Sequence, residues 1–146
     1  MSNAADIHTA AISRLSALLG STYKEHTNIF DYKDVDAVHL TQGYSVILLG
    51  AKERETQGNF ILMEREMKVV VTHQTYAVAD AGRVKTTLQT VYNKEKAVID
   101  SYRTWIDKTI GLLVCRPATS TQVEQIDGGE DSFIVNTMNF SILYLN

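Results

Sequence analysis

The sequence holds one cysteine, Cys115, and one proline, Pro117. A lone cysteine excludes an internal disulfide framework and any zinc site built from several thiolates. It also points to a reducing compartment. No apolar run approaches the length of a membrane span. The N-terminus lacks the basic-then-apolar layout of a secretory signal. There is no basic block and no stripe of Arg or Lys interleaved with aromatics, and the 14 basic and 17 acidic residues leave a formal net charge of −3. A nucleic-acid-binding surface is therefore not indicated. A weakly negative protein is still compatible with DNA passing beside it unheld, because attraction to phosphates scales with basic contacts. No Gly-x-x-x-x-Gly-Lys phosphate loop and no Gly-x-Ser-x-Gly elbow occurs. Internal repeats and low-complexity segments are missing too. These absences leave no enzyme signature, and no cofactor or metal is expected.

What remains is ordinary for a globular chain: 146 residues, 45% of them hydrophobic. That length predicts one domain, residues 1–146, with a core large enough to stand without metal or disulfides. Ser2-Asn3-Ala4 matches a common tag remnant and is given no weight. Apolar residues at Ile7, Ala11, Ile12, Leu15, Leu18 and Leu19 predict a helix over Asp6 to Leu19, stopped by Gly20. Ser21 to Asp36 reads as a loop or short strand. Ala37 to Leu49 alternates, with Val38, Leu40, Tyr44, Val46 and Leu48 on one face and Gly43 as a candidate bulge. Asn59 to Thr72 alternates on odd positions, Ile61, Met63, Met67, Val69 and Val71. Between them Gly50 to Gly58 is too long for a tight two-residue turn and predicts a projecting, flexible β-arm.

Val84, Leu88, Val91, Val98, Tyr102 and Trp105 follow a helical period from Asp80 to about Ile106, with Glu95 the polar intruder. Asp80 is the expected N-cap, and a break near Asp100-Ser101 is expected to start a second short helix. Gly111 to Cys115 reads as a short strand ended by Pro117. Thr121 to Ile126 and Phe133 to Leu145 flank the turn signal Asp127-Gly128-Gly129-Glu130-Asp131. In the last strand Ile134, Met138, Phe140, Ile142 and Tyr144 share a face. The expected fold is α+β, in the order α-β-β-α-β-β. Two helices pack on one face of a mixed, largely antiparallel sheet, and a β-hairpin arm protrudes.

The candidate sites are few. His8, His26, His39 and His73 share no metal-ligand spacing and read as solvated or structural residues, with His39 on the polar face of its strand and His73 at the end of another. Asp31, Asp34 and Asp36, with Lys33 among them, lack the calcium-loop pattern and read as a solvated loop. Cys115 reads as a buried strand residue of low reactivity. Tyr44, Tyr102, Trp105 and Phe140 read as core; the competing reading has them lining the pocket of a small ligand-binding domain or enzyme. The remaining candidate is the arm, Lys52, Glu53, Arg54, Glu55, Thr56 and Gln57. Alternating charge at a hairpin tip suits a solvated turn, and it also suits docking, where charge fixes register against a partner.

The layout resembles the tail terminator proteins of long-tailed bacteriophages over nearly the whole chain. The likeness lies in layout, not in one diagnostic motif. It is carried by the opening helix Ile7 to Leu19, the Phe30-Asp31 pair and the strand Ala37-Val38-His39-Leu40. The charged hairpin loop leading into Met67-Lys68-Val69-Val70-Val71 adds to it. So do the later helix, the Gly- and Asp-rich turn, and the closing strand Phe140-Ser141-Ile142-Leu143-Tyr144. One departure is that many members carry a proline before the first strand, where this chain has Val35-Asp36-Ala37-Val38. The resemblance implies a structural virion protein, assembled in a bacterial host's cytoplasm. It implies a homo-hexameric ring on the head-proximal end of the tail tube. Such a ring stops polymerisation of the tube protein and offers the surface on which the head-tail connector protein docks. It implies that the arm reaches the tube and orders on assembly, and that DNA passes through the lumen without specific binding.

Overall fold

The computed structural model describes residues 3–26, 42–58, 60–76, 79–126 and 132–146, with the backbone alone for Gln57 and residues 117–119. Helix α1 spans Asn3–Leu19 and the two-residue strand β1 Lys24–Glu25. Strands β2 (Gln42–Gln57) and β3 (Phe60–Gln74) form a hairpin, and helix α2 (Ala81–Arg103) follows. A 3₁₀ turn at Lys108–Ile110 leads into β4 (Leu112–Ile126) and β5 (Phe133–Leu145). Among the described residues the sheet has five strands in the order β1-β2-β3-β5-β4, parallel only between β1 and β2. The expected α+β fold and element order are those observed. Phe30-Asp31, the acidic group, Ala37 to Leu40 and the Asp127-Gly128-Gly129-Glu130-Asp131 turn lie outside the described residues.

Side-chain parity explains why these strands make this sheet. Even positions of β2 and β5 and odd positions of β3 meet across the ladder: Tyr44 opposite Val71, Val46 opposite Val69, Met67 opposite Phe140, Val69 opposite Met138. All of these are buried. With Ile142 and Tyr144 they form the floor on which α1 and α2 lie side by side. α1 adds Ile7, Ala11, Leu15 and Leu19 to the core, each on the stripe that its spacing predicted. Tyr44, Tyr102, Trp105 and Phe140 all belong to the buried core. The second face is partly covered as well: Val70, Phe133 and Val135 are buried there. Thr72, on that same face, is within reach of the His26 ring, and a Cβ at Gly43 would run into that ring.

The helices are fastened to each other and to the sheet by specific bonds. The Tyr102 hydroxyl donates to the Ala11 carbonyl (2.6 Å). The Arg14 guanidinium donates to the Ser101 hydroxyl and carbonyl (2.9 and 3.1 Å) and lies over the Trp105 ring. His8 Nε2 donates to the Val46 carbonyl (2.6 Å), and the Asn3 amide bonds to the Leu145 carbonyl. Asn3 thus belongs to the folded helix.

Three expectations about boundaries are corrected. α2 runs unbroken through Asp100 and Ser101, because Val98 and Tyr102 keep the buried stripe continuous across them. Asp80 is the N-cap by position, yet its side chain caps no backbone N–H and pairs with Arg83 instead (3.4 Å). Pro117 does not end a strand. β4 continues past it to Ile126 because the ladder to β5 shifts register between Arg116 and Ser120, and a bulge on an edge strand tolerates a missing N–H. A fourth correction concerns the arm. Gln57 pairs with Phe60, which leaves a two-residue connection containing Gly58 at φ +58°. Residues read as a loop are therefore strand, kinked by register shifts between Leu49 and Ala51 and between Glu53 and Glu55.

Candidate docking arm and a polar groove

Lys52, Glu53, Arg54, Glu55 and Thr56 lie together on the distal half of β2, and all are exposed. Gln57 closes the strand. The bond of Asn3 to Leu145 sets the end of the helical layer level with Leu62 and Glu55, so only the tip beyond that pair runs past it. The distal half is a paired ribbon: β5 follows β3 as far as Leu62, and the tip from Thr56 to Ile61 extends beyond β5. Charges of both signs interleave on it. Arg54 pairs with Glu64 across the ladder (3.3 Å), and Glu64 also accepts from the Ser141 hydroxyl (3.1 Å). The Thr56 hydroxyl donates to Glu53. At the Gly50 kink, where φ is +48°, a cleft of about 390 Å³ opens between Lys52, Glu64, Glu66 and Ser141. Beside the tip, Phe60 is 62% exposed above Leu62, Leu113 and Leu145. The arm thus offers a charged edge with an apolar knob, and nothing in it has the geometry of a reaction centre.

Cys115 is buried among the core residues, and burial pushes its thiol up to about 12, which keeps it protonated and inert. Among the described residues no group of three or more His, Cys, Asp or Glu side chains could hold a metal ion. No described helix is long and apolar enough to cross a membrane.

Of the two readings of His73, solvated or structural, the structural one holds. Its odd number places it on the apolar face of β3, with Val69 and Val71, and it is 1% exposed. Parity was the available signal; its position at the strand end obscured it. The Gln74 N–H donates to Gln42 Oε1 (2.7 Å), which leaves the Gln42 amide nitrogen for the Tyr23 oxygen. Burial raises the Tyr23 pKa, and the Gln42 bond opposes that rise. The Tyr23 hydroxyl then donates to His73 Nδ1 (2.8 Å). His73 Nε2 is buried without a partner. Burial, and secondarily the Lys94 charge, lower the His73 pKa to about 4.

Asn136, on β5, was passed over in reading the last strand as apolar on its even face. It lies opposite Val71 on that face, 1% exposed, and neither amide atom has a partner. The Thr75 hydroxyl is buried and unpartnered as well. Each such group costs about 1–3 kcal/mol when left unsatisfied. A groove of about 650 Å³ runs between His73 and Tyr23 on one side and Thr86, Thr87 and Thr90 of α2 on the other. Tyr76 and Arg83 stand at its rim, with the guanidinium 4.8 Å from the ring centre.

No protein-family model matches this chain, and no curated protein matches its sequence.

Proposed function

We propose that the protein is a tail terminator of a long-tailed bacteriophage, a structural component that caps the head-proximal end of the tail tube. The observation that carries this reading is the β2–β3 ribbon, whose distal half is exposed on β2, carries charge of both signs and ends in a tip beyond β5. A preformed ribbon docks with little loss of backbone freedom, and interleaved charge selects one register on a partner. Two strands support a capping role, β4 at one edge and β2, whose distal half runs beyond its short pairing with β1. β2 is kinked twice and lined with charge; β4 carries Pro117 and a bulge. These are the features that stop a sheet edge from templating another strand. A cap should bind the tube on one side without seeding more tube on the other.

In this reading six copies form a closed ring. The arm residues Lys52, Glu53, Arg54, Glu55, Thr56 and Gln57 contact the tail tube protein, and the opposite side of the ring receives the head-tail connector protein. DNA passes through the lumen without specific binding, consistent with a net charge of −3. The protein is not an enzyme, and it works in the virion.

The test is the quadruple replacement of Lys52, Glu53, Arg54 and Glu55 by Ser. It removes one exposed ion pair, Arg54 to Glu64, worth about 0–1 kcal/mol. The variant should melt within a few degrees of the parent and fail to complete tails, leaving overlong tubes and headless tails in micrographs. Particles of normal titre and tail length from this variant would remove the docking role.

A further inference from the structure

We infer that Phe60 is the anchor of the docking arm. The tail tube protein receives its ring in an apolar pocket and places one aliphatic side chain of its own in the cleft beside it. The inference rests on the proposed docking role of the arm. It names the group that supplies affinity there and the chemistry of the partner surface.

Phe60 is the most exposed large hydrophobic side chain among the described residues, at 62%. It does not stand alone. Beside it lies a cleft of about 140 Å³, lined by Leu62, Leu113, Leu145 and Glu55. The ring is also held in place. Phe60 pairs with Gln57 across the turn, and the carbonyl of the next residue, Ile61, accepts from the Asn146 N–H (2.9 Å). Leu62 is flanked by Glu55 on one strand and Leu145 on the other. An anchor on a paired strand loses little backbone freedom when it docks.

The charges of the arm are a poor source of affinity. Arg54 is already paired with Glu64 (3.3 Å), and Glu53 already accepts from Thr56. Exposed charge pairs contribute little binding energy and mainly steer approach and fix register. Affinity at interfaces comes from a few anchors, aromatic ones prominent among them, buried in well-packed pockets. From Lys52 to Glu66 the sequence holds one aromatic residue, Phe60. Continuity with the arm sets the occupant. Phe60 lies opposite Gln57 and Glu55 lines the cleft, so a protein seated on Lys52 to Gln57 covers ring and cleft in the same contact. The cleft is close in size to an apolar cavity of about 150 Å³ that takes benzene, which leaves room for one aliphatic side chain.

The test is co-sedimentation of the full chain with polymerised tail tubes over a concentration series, at low and high salt. Phe60→Ser should melt with the parent, because the ring is exposed, and should raise the Kd for tubes about 30-fold. Phe60→Leu keeps an apolar knob and should fall between the two. Parent binding should survive high salt, which screens exposed charge and leaves apolar burial intact. A loss below about tenfold in Phe60→Ser, with a parent that binds tubes, would overturn the anchor and leave the arm's docking role standing. Parent binding that falls at high salt to the level of the variant would place the affinity in the charges, with the same consequence. A parent that does not bind tubes at all would remove the docking role and the anchor with it.

Discussion

His73 and Val69 stand four residues earlier and later on one strand face, yet they respond to opposite perturbations. His73 is neutral because its surroundings reject the charged form. Its pKa is about 4 in the fold against 6.5 for the free side chain. The unfolded chain therefore binds this proton more readily than the native one, and stability falls as the pH drops. The contribution is whole above about pH 6.5 and is lost progressively toward pH 4, on the order of 3 kcal/mol across that window. Urea midpoints across this range should fall more steeply for the parent than for His73→Phe. Parallel curves would show that the imidazole titrates normally. Val69 is fully buried beneath the helices. Val69→Asp places an unpaired carboxylate there and should cost at least about 3 kcal/mol, read as a large loss of melting temperature or as failure to fold. An unchanged melting temperature would mean that the strand's faces are reversed.

At the scale of elements, helix periodicity and strand alternation were legible wherever a single face is buried. The stripe of Ile7, Ala11, Leu15 and Leu19 and the parity of β3 and β5 are both read directly from spacing. Boundaries were legible only where local chemistry decides them. Pro117 and Gly58 suggested ends or loops, but ladder pairing with β5 and β3 carried the strands through, using bulges that leave no mark in a composition pattern. His73 and Asn136 escaped for a different reason. A polar residue on an apolar face is read as an interruption unless its surroundings are known; the partner of His73, Tyr23, comes from the chain after α1, and the Asn136 amide has none. The arm residues were found because charge patterning is local. The α1–α2 contact depends on a long-range bond that no pattern displays, Tyr102 to the Ala11 carbonyl. Tyr102→Phe should keep the packing and remove that bond, while the Ala11 carbonyl keeps its intrahelical partner, costing about 1 kcal/mol in chemical unfolding. A cost near zero would show that the ring's burial alone joins the two helices.

On the scale of the whole molecule, the fold is a five-stranded sheet with one face under two helices, a charged ribbon at one end and a polar groove at the other. The β4 edge and the distal half of β2 are blunted, so self-association by open-ended strand pairing is disfavoured and a closed assembly is the form of oligomer that suits it. The proposed capping role depends on that closure. The most direct measurement is electron microscopy of the purified protein over a concentration series, alone and mixed with polymerised tail tubes. Closed sixfold rings with an open lumen, seated on one end of each tube and halting its growth, are the expected result. Tubes that keep growing with bare ends, and no ring at any concentration with or without them, would contradict it.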